Sequence, residues 1–210
     1  CKQLNNYQLA IRLAVRNNLP GAEQLFTQQF NNLMNASDYK GAAKLAAESP
    51  QQVLRTPATI QRFQQAPAQP GQASPILTYF GMLLEKGKLN QMESMELARP
   101  VLQQGRTQLL EKWLTEDKLE CSEQLGDLVA QTDVNMALSV YLRANVPEKA
   151  TNCFVQKGEY DKIVPYATQA NYRCDYSFML QNLVRTNPGG ALEFAKQLAA
   201  GSLIDLNVVV

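Results

Sequence analysis

The feature that most constrains this chain is its punctuation. At Ser49-Pro50, Thr56-Pro57, Ser74-Pro75 and Asn187-Pro188 a residue able to cap a helix stands directly before proline. Proline suits the first helical position because its missing N–H would have had no partner there. Lys86-Gly87 and Lys157-Gly158 read as the matching stops, a cation at the negative helix end followed by glycine. Between such breaks the apolar residues keep a helical period. Leu9, Ile11, Leu13, Ala14 and Val15 predict one helix, ended at Leu19-Pro20-Gly21; Ala22, Leu25, Phe26, Phe30 and Leu33 predict the next. Ala42, Ala43, Leu45 and Ala46 follow as a short helix whose small residues let a neighbour come close. No stretch alternates long enough to predict a strand, Val208 to the C-terminus included.

The densest apolar run is residues 99–129, which holds the single tryptophan. Leu109, Leu110, Trp113 and Leu114 predict one apolar helix face, with Arg106, Glu111, Lys112, Glu116 and Asp117 filling the remainder. Gly105 ends the helix before it, and Ser122 is placed to cap the helix whose face carries Leu125, Leu128 and Val129. A short turn over residues 119–121 joins the two. Residues 64–74, with Pro67, Pro70 and Gly71, cannot hold a regular helix. That segment reads either as a flexible linker or as an ordered strap, and the strap is favoured because an apolar helix resumes at once.

A weak internal repeat runs through the breaks. Leu19/Ala22/Phe26, Tyr39/Ala42/Ala46 and Tyr160/Ile163/Ala167 share offsets 0, 3 and 7, and Val146/Ala150/Cys153 follows 0, 4 and 7. Short amphipathic helices of roughly 8 to 15 residues, with neither heptads nor strands, predict an all-α chain of stacked hairpins, an α-solenoid. The competing fold is a compact helical bundle, which needs fewer, longer helices. A solenoid of this length has a radius of gyration above the ~17 Å of a compact globule.

Composition narrows function by exclusion. The 210 residues carry a net charge of +1, so there is no general pull toward nucleic acid or anionic membrane. The charge is uneven: residues 1–76 hold seven Lys/Arg against three Asp/Glu, and residues 77–135 hold six against ten. Solvated helix faces explain this, and so would ordered contacts between neighbouring molecules. There is no histidine, which removes the commonest general base and the commonest neutral metal ligand. Cys1, Cys121, Cys153 and Cys174 lack metal-ligand spacing and read as reduced, structural thiols of a cytoplasmic protein. No apolar run reaches the ~20 residues that span a bilayer.

A few groupings of residues could carry chemistry. Glu116, Asp117, Glu120 and Glu123 cluster around Cys121, but on a helix end and a turn they read as solvated capping charges. Cys121 has no histidine to activate it. Gly189-Gly190 lacks the strand and the GK[ST] of a phosphate loop. Arg12, Arg16, Arg55 and Arg62 would suit an anion groove, yet at these spacings they read as single surface charges. The expectation is no enzyme, with no catalytic residue, no cofactor-binding residue, no metal ligand and no cofactor.

The strings RPVLQQGR, LLEKWL, EDKLECSE and LGDLV within residues 99–129 resemble the clathrin heavy-chain family, in order and with its spacing. The likeness extends to RNNLPGAEQLF (16–26), LRTP (54–57), SPILTYFG (74–81) and ALSVYLRANVP (137–147), and loosens after about Gly189. The resemblance implies the end of the helical linker (1–74, with the proline-rich strap) and the ankle region (75–210) of one continuous solenoid. In that family three-legged triskelions interlock into the lattice of coated pits and vesicles, and a β-propeller at the leg's end binds adaptor peptides. None of the propeller's peptide-binding residues maps here. The resemblance therefore implies a structural segment of the coat in endocytosis and intracellular transport, on coated pits and coated vesicles, with other heavy-chain legs as partners. In animals the ankle also meets an acidic coiled-coil protein on the spindle, which suggests a helical partner. The isolated chain is expected to be monomeric. The other function class is an independent helical-repeat module capturing peptides, although the 34-residue pattern of tetratricopeptide repeats is missing.

Overall fold

A computed structural model describes residues 22–68 and 73–200. The helix expected around Leu9, the strap residues 69–72 and the C-terminal valines lie outside the described residues. The all-α expectation holds: the described residues form twelve α-helices and no strand, with one isolated parallel bridge between Leu89 and Leu119. The helices are α1 (Ala22–Asn35), α2 (Tyr39–Ala47), α3 (Pro57–Gln65), α4 (Pro75–Lys86), α5 (Gln91–Gln103) and α6 (Thr107–Thr115). They continue as α7 (Glu123–Ala130), α8 (Val134–Ala144), α9 (Pro147–Lys157), α10 (Ile163–Gln169), α11 (Tyr176–Thr186) and α12 (Pro188–Ala200). The chain divides into two compact units, Cys1–Leu97 with Thr115–Glu120, and Ala98–Leu114 with Cys121–Val210. Inside each unit a helix packs on its near neighbours in the chain, the arrangement of stacked α-solenoid hairpins.

In the first unit α2 packs most closely on α4, not on α3, which follows it. Ala42, Ala43 and Ala46 are fully buried, and their small side chains allow that approach. Around them Phe30 meets Phe63 edge-on at 6.0 Å, and Phe63 stacks on Tyr79 at 4.7 Å. Two of the four proline-led breaks cap as expected: Thr56 accepts from the Thr59 N–H, and Asn187 from the Gly190 N–H. Ser74 makes no side-chain cap, although Pro75 starts α4. Ser49 is a different case. Its hydroxyl is buried, donates to the Ala46 carbonyl and accepts from the Leu54 N–H, while Gln51 and Gln52 turn left-handed at φ 51° and 58°. Gln64 and Gln65 belong to α3, so the non-helical segment begins at Ala66.

In the second unit α7 packs on α8 and α8 on α9, while α11 pairs with α12. Gly158 ends α9 in the left-handed conformation (φ 72°), as its place after Lys157 predicted. The repeat positions Tyr160, Ile163 and Ala167 are all buried, as are Tyr39, Ala42 and Ala46 in the first unit. Val146 is only half-buried, whereas Ala150 and Cys153 fill their sites. The expected face of α6 needs correction. Leu110 and Leu114 are buried, but Leu109 is 40% exposed and Trp113 is half-buried. Residues 110 and 114 lie one turn apart and point at the core, while 109 and 113 form the adjacent line, about 100° around the helix. The turn after α6 is also longer than expected, residues 116–122. Leu119 within it is fully buried, and the Lys118 carbonyl accepts from the Leu89 N–H.

Candidate functional site

Two clusters bring charge and tyrosine together, one in each unit. In the first, Asn90 and Glu93 open α5 with reciprocal bonds. Asn90 Oδ1 accepts from the Glu93 N–H at 2.9 Å, and the Glu93 carboxylate accepts from the Asn90 N–H at 3.0 Å. This is a capping box, with Asn in place of Ser or Thr. The same carboxylate accepts from Tyr79 Oη at 3.0 Å and from Arg55 Nε at 3.0 and 3.1 Å, and pairs with the second guanidinium nitrogen of Arg55. The Glu93 side chain is 0% exposed and that of Arg55 10%. Burial alone would lower the Arg55 pKa, but its hydrogen bonds to Glu93 and that residue's charge outweigh it, and the net shift is upward. Burial, then the Glu93 charge, pushes the Tyr79 hydroxyl far above its ordinary value, so it stays a donor.

In the second unit Tyr141 Oη donates to Asp127 at 2.7 Å, and Lys149 Nζ meets the same carboxylate at 2.6 and 2.7 Å and Glu123 at 2.8 Å. The hydrogen bond from Lys149, helped by that from Tyr141 and the lysine charge, holds Asp127 below the usual carboxylate range against the opposing effect of desolvation. Hydrogen bonds to Asp127 and Glu123 raise the half-buried Lys149. Gly126 makes the cluster possible, because a Cβ there would stand 2.2 Å from Tyr141 Cε1.

Several of the candidates that the sequence offered have structural partners of their own. Asp117 bridges Lys88 at 2.7 Å, Glu123 bridges Lys149, and the Glu120 N–H donates to Ser94 Oγ. Asp117 and Glu123 are thus each held by a lysine, and Glu120 is tied through its backbone N–H. Arg55 is buried against Glu93, and Arg62 lies over the Phe30 ring while donating to Asn31 Oδ1. Neither is a free surface charge, and the two do not share a groove; Arg12 and Arg16 lie outside the described residues. Gly190 is packed, since Tyr160 Oη would be 2.1 Å from a Cβ at that position. Cys153 and Cys174 are free thiols, and burial pushes Cys174 up to about 11. Among the described residues no group of His, Cys, Asp and Glu could hold a metal ion, and no helix is long and apolar enough to cross a membrane.

Sequence reasoning missed the Glu93 cluster. One half of it had a signal, the N-x-x-E spacing of Asn90 and Glu93 ahead of an apolar run. Arg55, 38 residues away, had none. Among the accessible features are a shallow depression lined by Glu23, Gln24, Thr27, Gln28, Asn31, Asn32 and Val53, the exposed side chains of Leu77, Phe178, Val184 and Leu192, and the apolar edge of α6 at Leu109 and Trp113.

Residues 18–83 match the protein family described as Clathrin-H-link. The chain is 54% identical to the clathrin heavy chain of Dictyostelium discoideum over all of its own length and 13% of that relative. It is 56% identical to clathrin heavy chain 2 of Homo sapiens over 93% of its length and 12% of the relative. Against clathrin heavy chain 1 of Arabidopsis thaliana the figures are 51%, 99% and 12%. The chain therefore spans about an eighth of the length of the curated relatives it matches.

Proposed function

This chain belongs to the clathrin heavy-chain family, and we propose that it serves as a structural length of the coat leg, not as an enzyme. The observation that carries the proposal is identity of 51–56% over nearly the whole chain. Its packing agrees with a mechanical role. Charged and polar side chains are spent on joining one turn to the next, as in Lys88–Asp117 and Lys118 Nζ to the Leu84 carbonyl, rather than gathered at a cleft. In this reading residues 1–74 are the end of the linker and 75–210 the ankle. The partners are other heavy-chain legs, and the setting is the cytoplasmic coat of pits and vesicles, without insertion into the bilayer or contact with nucleic acid. The test is exchange. A Dictyostelium heavy chain carrying this stretch in place of its own should restore coated-vesicle formation and fluid uptake in cells lacking heavy chain. A chimera that is stable and trimeric yet builds no coat would overturn the proposal.

A second reading has its own observation, the exposed Leu109 beside half-buried Trp113 on α6. Two apolar residues at i and i+4 form the kind of edge on which an amphipathic partner helix docks. Leu109→Asp should leave the urea midpoint unchanged and abolish capture of a helical partner from cytosolic extract. Undiminished capture by that variant removes this reading. Without a partner the isolated chain is expected to sediment as a monomer, because a stable interface needs roughly 1,000 Å² or more.

A further inference from the structure

Local hydrogen bonds, Ser49 Oγ with the Leu54 N–H among them, join the residues of the α2–α3 connection to one another, but its apolar hold on the rest of the fold is small. Pro50 and Val53 are half-buried, Gln51 and Gln52 are exposed and left-handed, and only Leu54 is inserted as an apolar anchor. A single leucine specifies a seat poorly, since an apolar contact has no direction. Arg55 supplies the direction. Its guanidinium grips the buried Glu93 carboxylate side-on and also donates to the Lys88 carbonyl at 2.9 Å. Its own carbonyl accepts from Asn90 Nδ2 at 3.5 Å. The residue thus binds the α4–α5 turn by both its side chain and its backbone. Tyr79, the third partner of that carboxylate, stacks on Phe63 of α3, so one carboxylate sets both the turn and the helix that follows it.

Burying two charges is costly, and a well-packed apolar pair of similar volume is often as stable or more so. Stability is therefore a poor reason for this pair to be here. What a forked guanidinium on a carboxylate offers, and an apolar pair does not, is one permitted geometry. We propose that Arg55 and Glu93 are a register key: they select the single seating of the α2–α3 connection and of α3 on the α4–α5 turn, and contribute no net stability.

The test uses the full 210-residue chain with three variants, Arg55→Met, Glu93→Leu and the double Arg55→Met/Glu93→Leu. Urea unfolding, amide exchange and ring-to-ring nuclear Overhauser contacts are read on each. Each single variant should lower the urea midpoint, because it strands a buried charge or its donors. The double variant should keep helix content and a midpoint at or above that of the unsubstituted chain. It should nevertheless lose amide protection over residues 59–63 by at least about tenfold, and its single Phe63–Tyr79 ring contact should be weakened or replaced by several. A double variant with unchanged protection and the same ring contact would overturn the proposal, since apolar packing would then specify the seat. A double variant with a midpoint as low as the singles would overturn it as well, by making the pair an ordinary stabiliser.

Discussion

The clusters at Glu93 and Asp127 are built from the same parts at two depths. Each has a carboxylate fourteen residues from the tyrosine that donates to it, and each adds one cation, Arg55 or Lys149. Glu93 has no exposed side chain and accepts from three residues with fixed geometry; the Asp127 side chain is 48% exposed and meets a flexible lysine. Buried, the arrangement dictates where three segments must sit, because any group left unpaired there keeps its full desolvation cost. At the surface, water substitutes for whatever partner is removed. What holds the second cluster in place is shape, with the Tyr141 ring seated against Gly126. Arginine with a buried carboxylate and lysine with an exposed one follow the same division, since the planar fork loses less on desolvation than a compact ammonium.

The comparison breaks most sharply at Glu93. Glu93→Ala leaves Arg55 buried without its paired carboxylate and Tyr79 without its acceptor, and should cost about 3–5 kcal/mol in urea unfolding. A loss no larger than that of a surface carboxylate would show that water reaches the site. Next comes Gly126→Ala in the second cluster. The new methyl meets an aromatic ring held on both sides, and overpacking of this kind costs roughly 1–3 kcal/mol. An unchanged midpoint would show that Tyr141 swings out freely and that shape does not hold the cluster.

A pH titration sharpens the contrast further. Tyr79 and Tyr141 both have raised pKa values, so the native state holds their protons more tightly than the unfolded chain. Their contribution is fully present below the unfolded value of about 10 and is lost as pH rises above it. Lys149 has the same sign. Tyr79→Phe should flatten the alkaline fall in stability more than Tyr141→Phe does, because Tyr79 is deeply buried beside a charge. Equal slopes would equate the two sites. The acid side runs the other way. Asp127, and Glu159 between Lys157 at 2.7 Å and Lys162 at 2.9 Å, are depressed, so their contribution is present above the unfolded carboxylate range and fades as pH falls through their folded values. The smallest effect is expected from Asp127→Ala at neutral pH, a lowering of the urea midpoint that corresponds to at most about 1 kcal/mol. A larger destabilisation would mean that the exposed cluster acts as the buried one does.

Helical class, the position of most breaks, the Thr56 and Asn187 caps and the glycine stop after Lys157 were all legible in the residues, because each depends on neighbours within about four positions. The small-residue helix was legible too, though its close partner, α4, was not. Periodicity alone assigned Leu109, Leu110, Trp113 and Leu114 to one face. It could not say which line of that face meets protein and which meets solvent, since burial belongs to the neighbours and not to the helix. The parts of the candidate sites lay equally far from local reach. Arg55 and Glu93 stand 38 positions apart, Lys149 and Asp127 stand 22 apart, and the Leu89–Leu119 bridge closes a span of 30. The 3.6-residue period carries no information at such separations. Only the stacking of one turn on another decided that one glutamate would be buried with its arginine and another carboxylate left in water.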